Sequence, residues 1–146
     1  MFERILYPTD FSDVSQKAVD YIKQLKEAGA KEVIVLHVIN QRVIDALKRQ
    51  AVADRNIKQW LKTVKEEANQ SLLGIERKLK ESTLQVKTLI KTGVPLREIL
   101  KTEEEEAPSV IVIGSHGRTN IEEMFLGSVS EKVIRKCKKP VLVIKR

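Results

Sequence analysis

Three short runs of this chain, Val33 to Ile39, Val110 to Ile113 and Val141 to Ile144, are apolar almost without interruption and rich in β-branched residues. A strand with one face in water alternates apolar with polar side chains, whereas a strand that is apolar on both faces must be covered on both. Such strands sit in parallel sheets enclosed by helices, and the segments between them have helical spacing. Val14, Ala18, Ile22, Leu25 and Ala28 form one helical stripe, stopped at Gly29, with Asp13 and Gln16 spaced as a capping pair at its start. Ile57, Trp60, Leu61, Val64, Ala68, Leu72, Ile75 and Leu79 form a longer stripe, with Trp60 expected in the core. The stretch from Gln41 to Lys80 is too long for one crossover helix, so a break around Ala51 to Arg55 is expected to divide it.

Two further strands complete the pattern. Phe2 to Tyr7 is mostly apolar and ends at Pro8. Leu84, Val86, Thr88 and Ile90 alternate with Gln85, Lys87 and Lys91, as a half-exposed strand at a sheet edge does. Gly93 and Pro95 open a helix that turns Leu96, Ile99 and Leu100 inward and ends in Glu103 to Glu106. Those adjacent carboxylates point in different directions around a helix, which suits a solvated run better than a metal site. A last helix from Ser128 to Cys137, with Ser128 and Glu131 spaced as a capping box, leads to the final strand. The expectation is one α/β domain over residues 1–146, a doubly wound, Rossmann-like, five-stranded parallel sheet with helices on both faces.

Composition narrows the classes. A chain of 146 residues with 42% hydrophobic and 32% charged residues suits one ordinary globular domain. No apolar run approaches the roughly 20 residues needed to cross a bilayer, and the start lacks a basic stretch followed by an apolar core. With a single cysteine, Cys137, expected to pack on the last helix, the chain reads as a cytoplasmic protein without disulfides. The net charge of +7 raises nucleic acid as a partner. The basic residues are spread along the helices among acidic ones, and the densest group, Lys132, Arg135, Lys136, Lys138 and Lys139, has no interleaved aromatics for stacking on bases. Nucleic acid is therefore disfavoured.

The chemistry concentrates after the fourth strand, where Gly114-Ser115-His116-Gly117 is followed nine residues later by Gly127-Ser128. A strand that ends in glycines and returns through a helix start brings backbone N–H groups and partial positive charge to an anion. The hydroxyls of Ser115, Thr119, Ser128 and Ser130, with Arg118, are in the same segment. A glycine pair alone equally serves to turn the chain. Asp10, in the loop after the first strand, stands where ligands collect in open α/β sheets, and is also an ordinary turn residue. His37 inside the second strand has no Cys, Asp or second His at ligand spacing and reads as a packed, hydrogen-bonded side chain. Neither Gly-x4-Gly-Lys-Ser/Thr nor Gly-x-Gly-x2-Gly occurs, which disfavours a P-loop NTPase and a dinucleotide dehydrogenase.

Taken together, Ile5 to Ser12, the strand end at His37-Val38, the spacing Gly114-x2-Gly117-x9-Gly127-Ser128 and the closing Lys139 to Ile144 resemble the nucleotide-binding form of the universal stress protein family. The resemblance spans the whole chain and implies strand order 3-2-1-4-5. It implies an ATP-binding module of stress regulation, with nucleoside contacts at Pro8, Thr9, Asp10 and Val38 and contacts from Ile113, Gly114, His116, Gly117, Gly127, Ser128, Val129 and Ser130 around the phosphates. Any Mg²⁺ or Mn²⁺ is expected to ride on those phosphates. A homodimer through the last strand is implied as well. Two other functions fit the same crevice, a slow ATPase or phosphotransferase using Asp10 or His116, and a ligand-free dimeric partner-binding protein.

Overall fold

The apolar and alternating runs join into one five-stranded sheet in the order β3-β2-β1-β4-β5. The computed structural model describes residues 1–115 and 127–145. In chain order the elements are β1 (Arg4–Pro8), α1 (Asp13–Leu25), β2 (Glu32–Asn40), α2 (Gln41–Arg49), α3 (Asp54–Lys80), β3 (Gln85–Gly93), α4 (Pro95–Glu106), β4 (Val110–Gly114), α5 (Ser128–Lys136) and β5 (Val141–Ile144). Every strand pairing is parallel. The domain is α/β, as the alternation of strand and helix patterns dictates. No helix among the described residues is long and apolar enough to cross a membrane.

The period-two rule divides the core. Ile5 and Tyr7 of β1, Val33 and Val35 of β2, and Val110 and Val112 of β4 meet Ala18, Val19 and Ile22 of α1 and Leu72, Ile75 and Leu79 of α3. Their strand neighbours Leu6, Ile34, Leu36, Ile111 and Ile113 point the other way, against Ile99 of α4 and Val133 of α5. Each fully buried Val, Leu or Ile contributes roughly 1.5–3 kcal/mol, so the uninterrupted runs in the central strands supply most of the stability. Edge strand β3 departs from strict alternation: Val86 and Ile90 pack toward the first layer, but Thr88 is exposed and Leu89 packs against the second, and the strand receives cover mainly from α3.

Several local expectations are corrected. The cap of α1 is Ser12, whose side chain accepts from Ser15 N–H, while Gln16 donates from its amide to the Phe11 carbonyl at 2.8 Å. Asp13 is therefore the first helical residue and makes no capping pair. The helix tightens into a 3₁₀ turn at Lys26–Ala28 before Gly29 stops it at φ 102°. Gly93 ends β3 rather than opening α4. At α5 the cap is Gly127 and Glu131 pairs forward with Arg135 at 2.7 Å, so the Ser128–Glu131 box does not form. Cys137 is the residue after α5; it is half-buried against the second core layer, and burial pushes its thiol pKa up. Trp60, expected in the core, is only half-buried, as are Leu61 and Val64.

The acidic end of α4 also departs from a solvated run. Glu103 is buried, and its carboxylate accepts the backbone N–H groups of Lys138 at 3.0 Å and Lys139 at 3.1 Å, tying α4 to the turn that precedes β5. Glu106 accepts from Lys87 at 2.5 Å and Arg4 at 2.6 Å. The hydrogen bond from Lys87, aided by the charges of Lys87 and Arg4, holds the Glu106 carboxyl below its ordinary pKa. Only Glu104 and Glu105 are exposed.

Glu103→Ala is expected to lower unfolding free energy by about 1–3 kcal/mol in a urea titration, because it strands two N–H groups, whereas Glu104→Ala stays within about 0.5 kcal/mol of wild type. The lowered Glu106 pKa adds stability that is complete above the unfolded carboxylate value of about 4.3 and is lost as pH falls through the folded value. Unfolding curves of Glu106→Gln should accordingly show a shallower acid loss than wild type.

Candidate functional site

β1 and β4 are neighbours in the sheet, yet the helices that follow them pack on opposite faces, α1 with the first core layer and α5 with the second. A crevice opens at the carboxyl ends of two such strands, which is where ligands bind in this architecture. Pro8 and Thr9 bound it from β1, Ile113 and Gly114 from β4, and Gly127 to Ser130 from the start of α5.

The β1 side is held by hydroxyls. Tyr7, fully buried, donates its hydroxyl hydrogen to the Ser15 carbonyl in a short bond, and burial pushes its pKa up, so it stays a neutral donor. Ser15 Oγ donates to Thr9 Oγ1 at 2.5 Å, and Phe11 N–H donates to the same oxygen at 3.0 Å. Thr9 N–H donates to the Leu36 carbonyl at 2.8 Å. The Thr9 carbonyl stands 2.8 Å from His37 Nδ1. A carbonyl only accepts, so Nδ1 carries the proton. The imidazole also stacks on Phe11, centroids 4.4 Å apart and planes 27° from parallel. His37 is thus the packed, bonded side chain the sequence suggests. Phe11 has φ 65°, a left-handed conformation that costs a non-glycine residue energy and persists only where its surroundings enforce it. Asp10, just before it, is half-exposed and accepts Ser12 N–H at 3.0 Å.

Thr9 therefore has a protein partner at each of its polar atoms. It shapes the loop that presents Asp10. Val38 lies two residues beyond Leu36 on β2, half-buried and registered with Lys91 of β3.

On the β4 side the glycines work differently from expectation. Gly114 is not among the residues with positive φ, and Gly127 is extended at φ −62° and ψ 153°. A Cβ at Gly114 would stand 3.2 Å from Val14 Cγ1 and 3.3 Å from Ser15 N, so the close approach of α1 leaves a side chain there tight against its first turn. Ser130, buried, donates its hydroxyl to the Gly114 carbonyl at 2.6 Å. Gly127 N–H donates to the Ser115 carbonyl at 2.5 Å, and Ser115 N–H to the Ile144 carbonyl at 2.8 Å. Ser115 and Gly127 are thereby held together. His116 and Gly117, with Arg118 and Thr119, lie outside the described residues. Ser128 is exposed and Val129 packs into the second core layer. Among the described residues no side chain caps α5, and its first-turn N–H groups are at the crevice with the positive end of the helix dipole.

The structure brings Pro8, Thr9, Asp10, Ile113, Gly114, Gly127, Ser128, Val129 and Ser130 to one edge of the sheet, with Val38 on the adjacent strand. Sequence reasoning missed the Tyr7–Ser15–Thr9 hydroxyl chain and the Phe11–His37 stack. Each joins residues of different elements, and Ser12-x2-Ser15 reads along the chain only as a helix cap. Among the described residues no group of three or more His, Cys, Asp or Glu side chains could hold a metal ion.

Comparison with known proteins agrees with this architecture. The model of the universal stress protein family matches residues 1–145. Universal stress protein MJ0577 of Methanocaldococcus jannaschii is 40% identical, over 100% of this chain and 96% of its own length. Its solved structure superposes with a TM-score of 0.90 over 100% of this chain and 97% of that one. Universal stress protein YxiE of Bacillus subtilis is 33% identical, over 99% of this chain and 100% of its own length. A universal stress protein of Arabidopsis thaliana, solved with AMP bound, shares the fold at a TM-score of 0.70 and 18% identity, over 98% of this chain and 91% of that one.

The packing at Gly114 yields a direct test. Gly114→Ala is expected to lower stability by about 1–3 kcal/mol, because the added methyl pushes the first turn of α1 off the strand end. Denaturant unfolding checks it, and a variant as stable as wild type would show that α1 yields without loss.

Proposed function

The chain belongs to the universal stress protein family, and on that premise we propose that it is a regulatory module that binds ATP in the crevice between β1 and β4. The observation that carries this reading is the convergence, at the switch point of the sheet, of the Asp10 loop and the uncapped first turn of α5. An adenosine end against Asp10 and Val38, with Pro8 and Thr9 shaping that wall, directs the phosphates toward Ile113, Gly114, His116, Gly117 and the N–H groups of Gly127, Ser128, Val129 and Ser130. Helix-start N–H groups and the dipole favour the phosphate charge. That the same fold holds AMP in the Arabidopsis protein is consistent with an adenine nucleotide as ligand. Mg²⁺ or Mn²⁺ would enter on the phosphates.

Binding without turnover is favoured by the state of the hydroxyls. Ser15 is committed to Thr9 and Ser130 to Gly114, so neither is an activated nucleophile.

The open edge of β5 supports a second part of the proposal, a homodimer. Among the described residues β5 pairs only with β4, and its residues Val141, Leu142 and Val143 are half-exposed. An apolar edge strand recruits another, and a second copy closes it by a two-fold contact.

Isothermal titration separates the two ends of the site. Asp10→Ala is expected to weaken both ATP and adenosine by roughly tenfold or more, as loss of a charged hydrogen bond does, whereas Ser128→Ala weakens ATP selectively. Gly117→Val should abolish ATP binding in a folded protein. Equal losses for ATP and adenosine in both Asp10→Ala and Ser128→Ala, or unchanged ATP affinity in Gly117→Val, would overturn the assignment. For the dimer, light scattering at micromolar concentration should give two chains for wild type and one for Leu142→Lys. The substitution falls on Leu142 because Ile144 is buried in the core.

A further inference from the structure

Along α3 the apolar stripe outruns its cover. The helix has 27 residues and is about 40 Å long, whereas the nine-residue strands it crosses span about 30 Å. Its C-terminal half buries Ala68, Leu72, Ile75 and Leu79. In its N-terminal half Ile57 is buried, but Trp60, Leu61 and Val64 remain half-exposed, and on α2 Val43 is 43% exposed. A shallow depression of about 330 Å³ lies along this part of α3, lined by Lys58, Leu61, Lys62, Lys65 and Glu66, all of the one helix. The lysine stems add apolar surface beside Leu61.

Positive charge exceeds negative here: between Gln41 and Glu67 seven Lys or Arg residues stand against Asp45, Asp54, Glu66 and Glu67, a local net of +3 in a chain whose total is +7. Among the described residues Lys58, Lys62 and Lys65 enter no ion pair. We propose that this face of α3 docks an acidic, amphipathic helical segment of a partner protein, its apolar side chains packing beside Leu61 and its carboxylates meeting Lys58, Lys62 and Lys65. An amphipathic helix laid along this face pairs apolar with apolar surface and carboxylate with ammonium. A second copy of the chain would bring two faces of like charge together, which opposes association. Nucleic acid finds a single aromatic residue, Trp60, on this face.

Trp60 is the only tryptophan of the chain, so its emission reports on this surface. The probe is a synthetic peptide with Leu at helical spacing and Glu elsewhere, added to the full-length protein. The proposal predicts a saturable blue shift of Trp60 emission, weakening as salt is raised. In the double variant Lys58→Glu, Lys62→Glu, peptide affinity should fall at least about tenfold, with an unchanged urea midpoint and unchanged ATP affinity. Leu61→Ala should weaken the peptide without affecting ATP. Three results would overturn the proposal: no shift with the peptide, equal binding of a poly-Glu peptide without Leu, or undiminished binding by the charge-reversed variant. A shift produced by phosphatidylserine–phosphatidylcholine vesicles or single-stranded DNA but not by the peptide would overturn it too, in favour of that other partner.

Discussion

The first turn of α1 lies against the end of β4 so closely that a methyl group at Gly114 would fit only if Val14 or Ser15 gave way. Much of the carboxyl edge follows from this contact. It sets Ser15 where the carbonyl can take the Tyr7 hydrogen and the hydroxyl can reach Thr9. Thr9, thus fixed, receives Phe11 N–H and offers its carbonyl to His37, and the imidazole stacks on Phe11. The left-handed backbone at Phe11, unfavourable by itself, is enforced by these partners, and Asp10 is displayed just before it. A loop held by a chain of buried hydrogen bonds binds a ligand without first having to be ordered, which avoids an entropic cost at each binding event.

Much of the architecture was legible because burial on both faces leaves a strong mark. Val33 to Ile39 and Val110 to Ile113 have almost no polar face to offer water, and Leu84 to Ile90 does, so edge strand β3 was separable from the central strands by pattern, whereas the apolar run Val141 to Ile144 did not reveal that β5 is the other edge. The division of Gln41 to Lys80 into a short and a long helix was legible from length. Helix ends were less so. Asp13, Ser128 and Glu131 carry cap-forming side chains, but the residue one position earlier adopted the extended backbone a cap requires, Ser12 in one case and Gly127 in the other. The run Glu103 to Glu106 looked uniformly solvated because nothing local reveals that Lys138 and Lys139, far along the chain, bring N–H groups to Glu103.

The candidate site was legible as positions rather than as interactions. The strand ends and the glycine spacing located Pro8 to Asp10, Gly114 and Gly127 to Ser130 on one edge. The reason for Gly114 did not follow from the sequence, since it depends on how near a helix from the other end of the chain approaches. The half-exposure of Trp60, Leu61 and Val64 escaped the stripe pattern for a related reason: periodicity tells which residues share a face, and only the extent of the sheet tells how much of that face is covered.

The central claim is that the edge between β1 and β4 is built to hold an adenine nucleotide. It is tested most directly by denaturing freshly purified protein and separating what is released by chromatography and mass spectrometry. The account predicts ATP or its hydrolysis products from wild type, or, for protein stripped of ligand, uptake of ATP to one per chain. Release of no nucleotide, together with failure of the stripped protein to take up ATP, would contradict it.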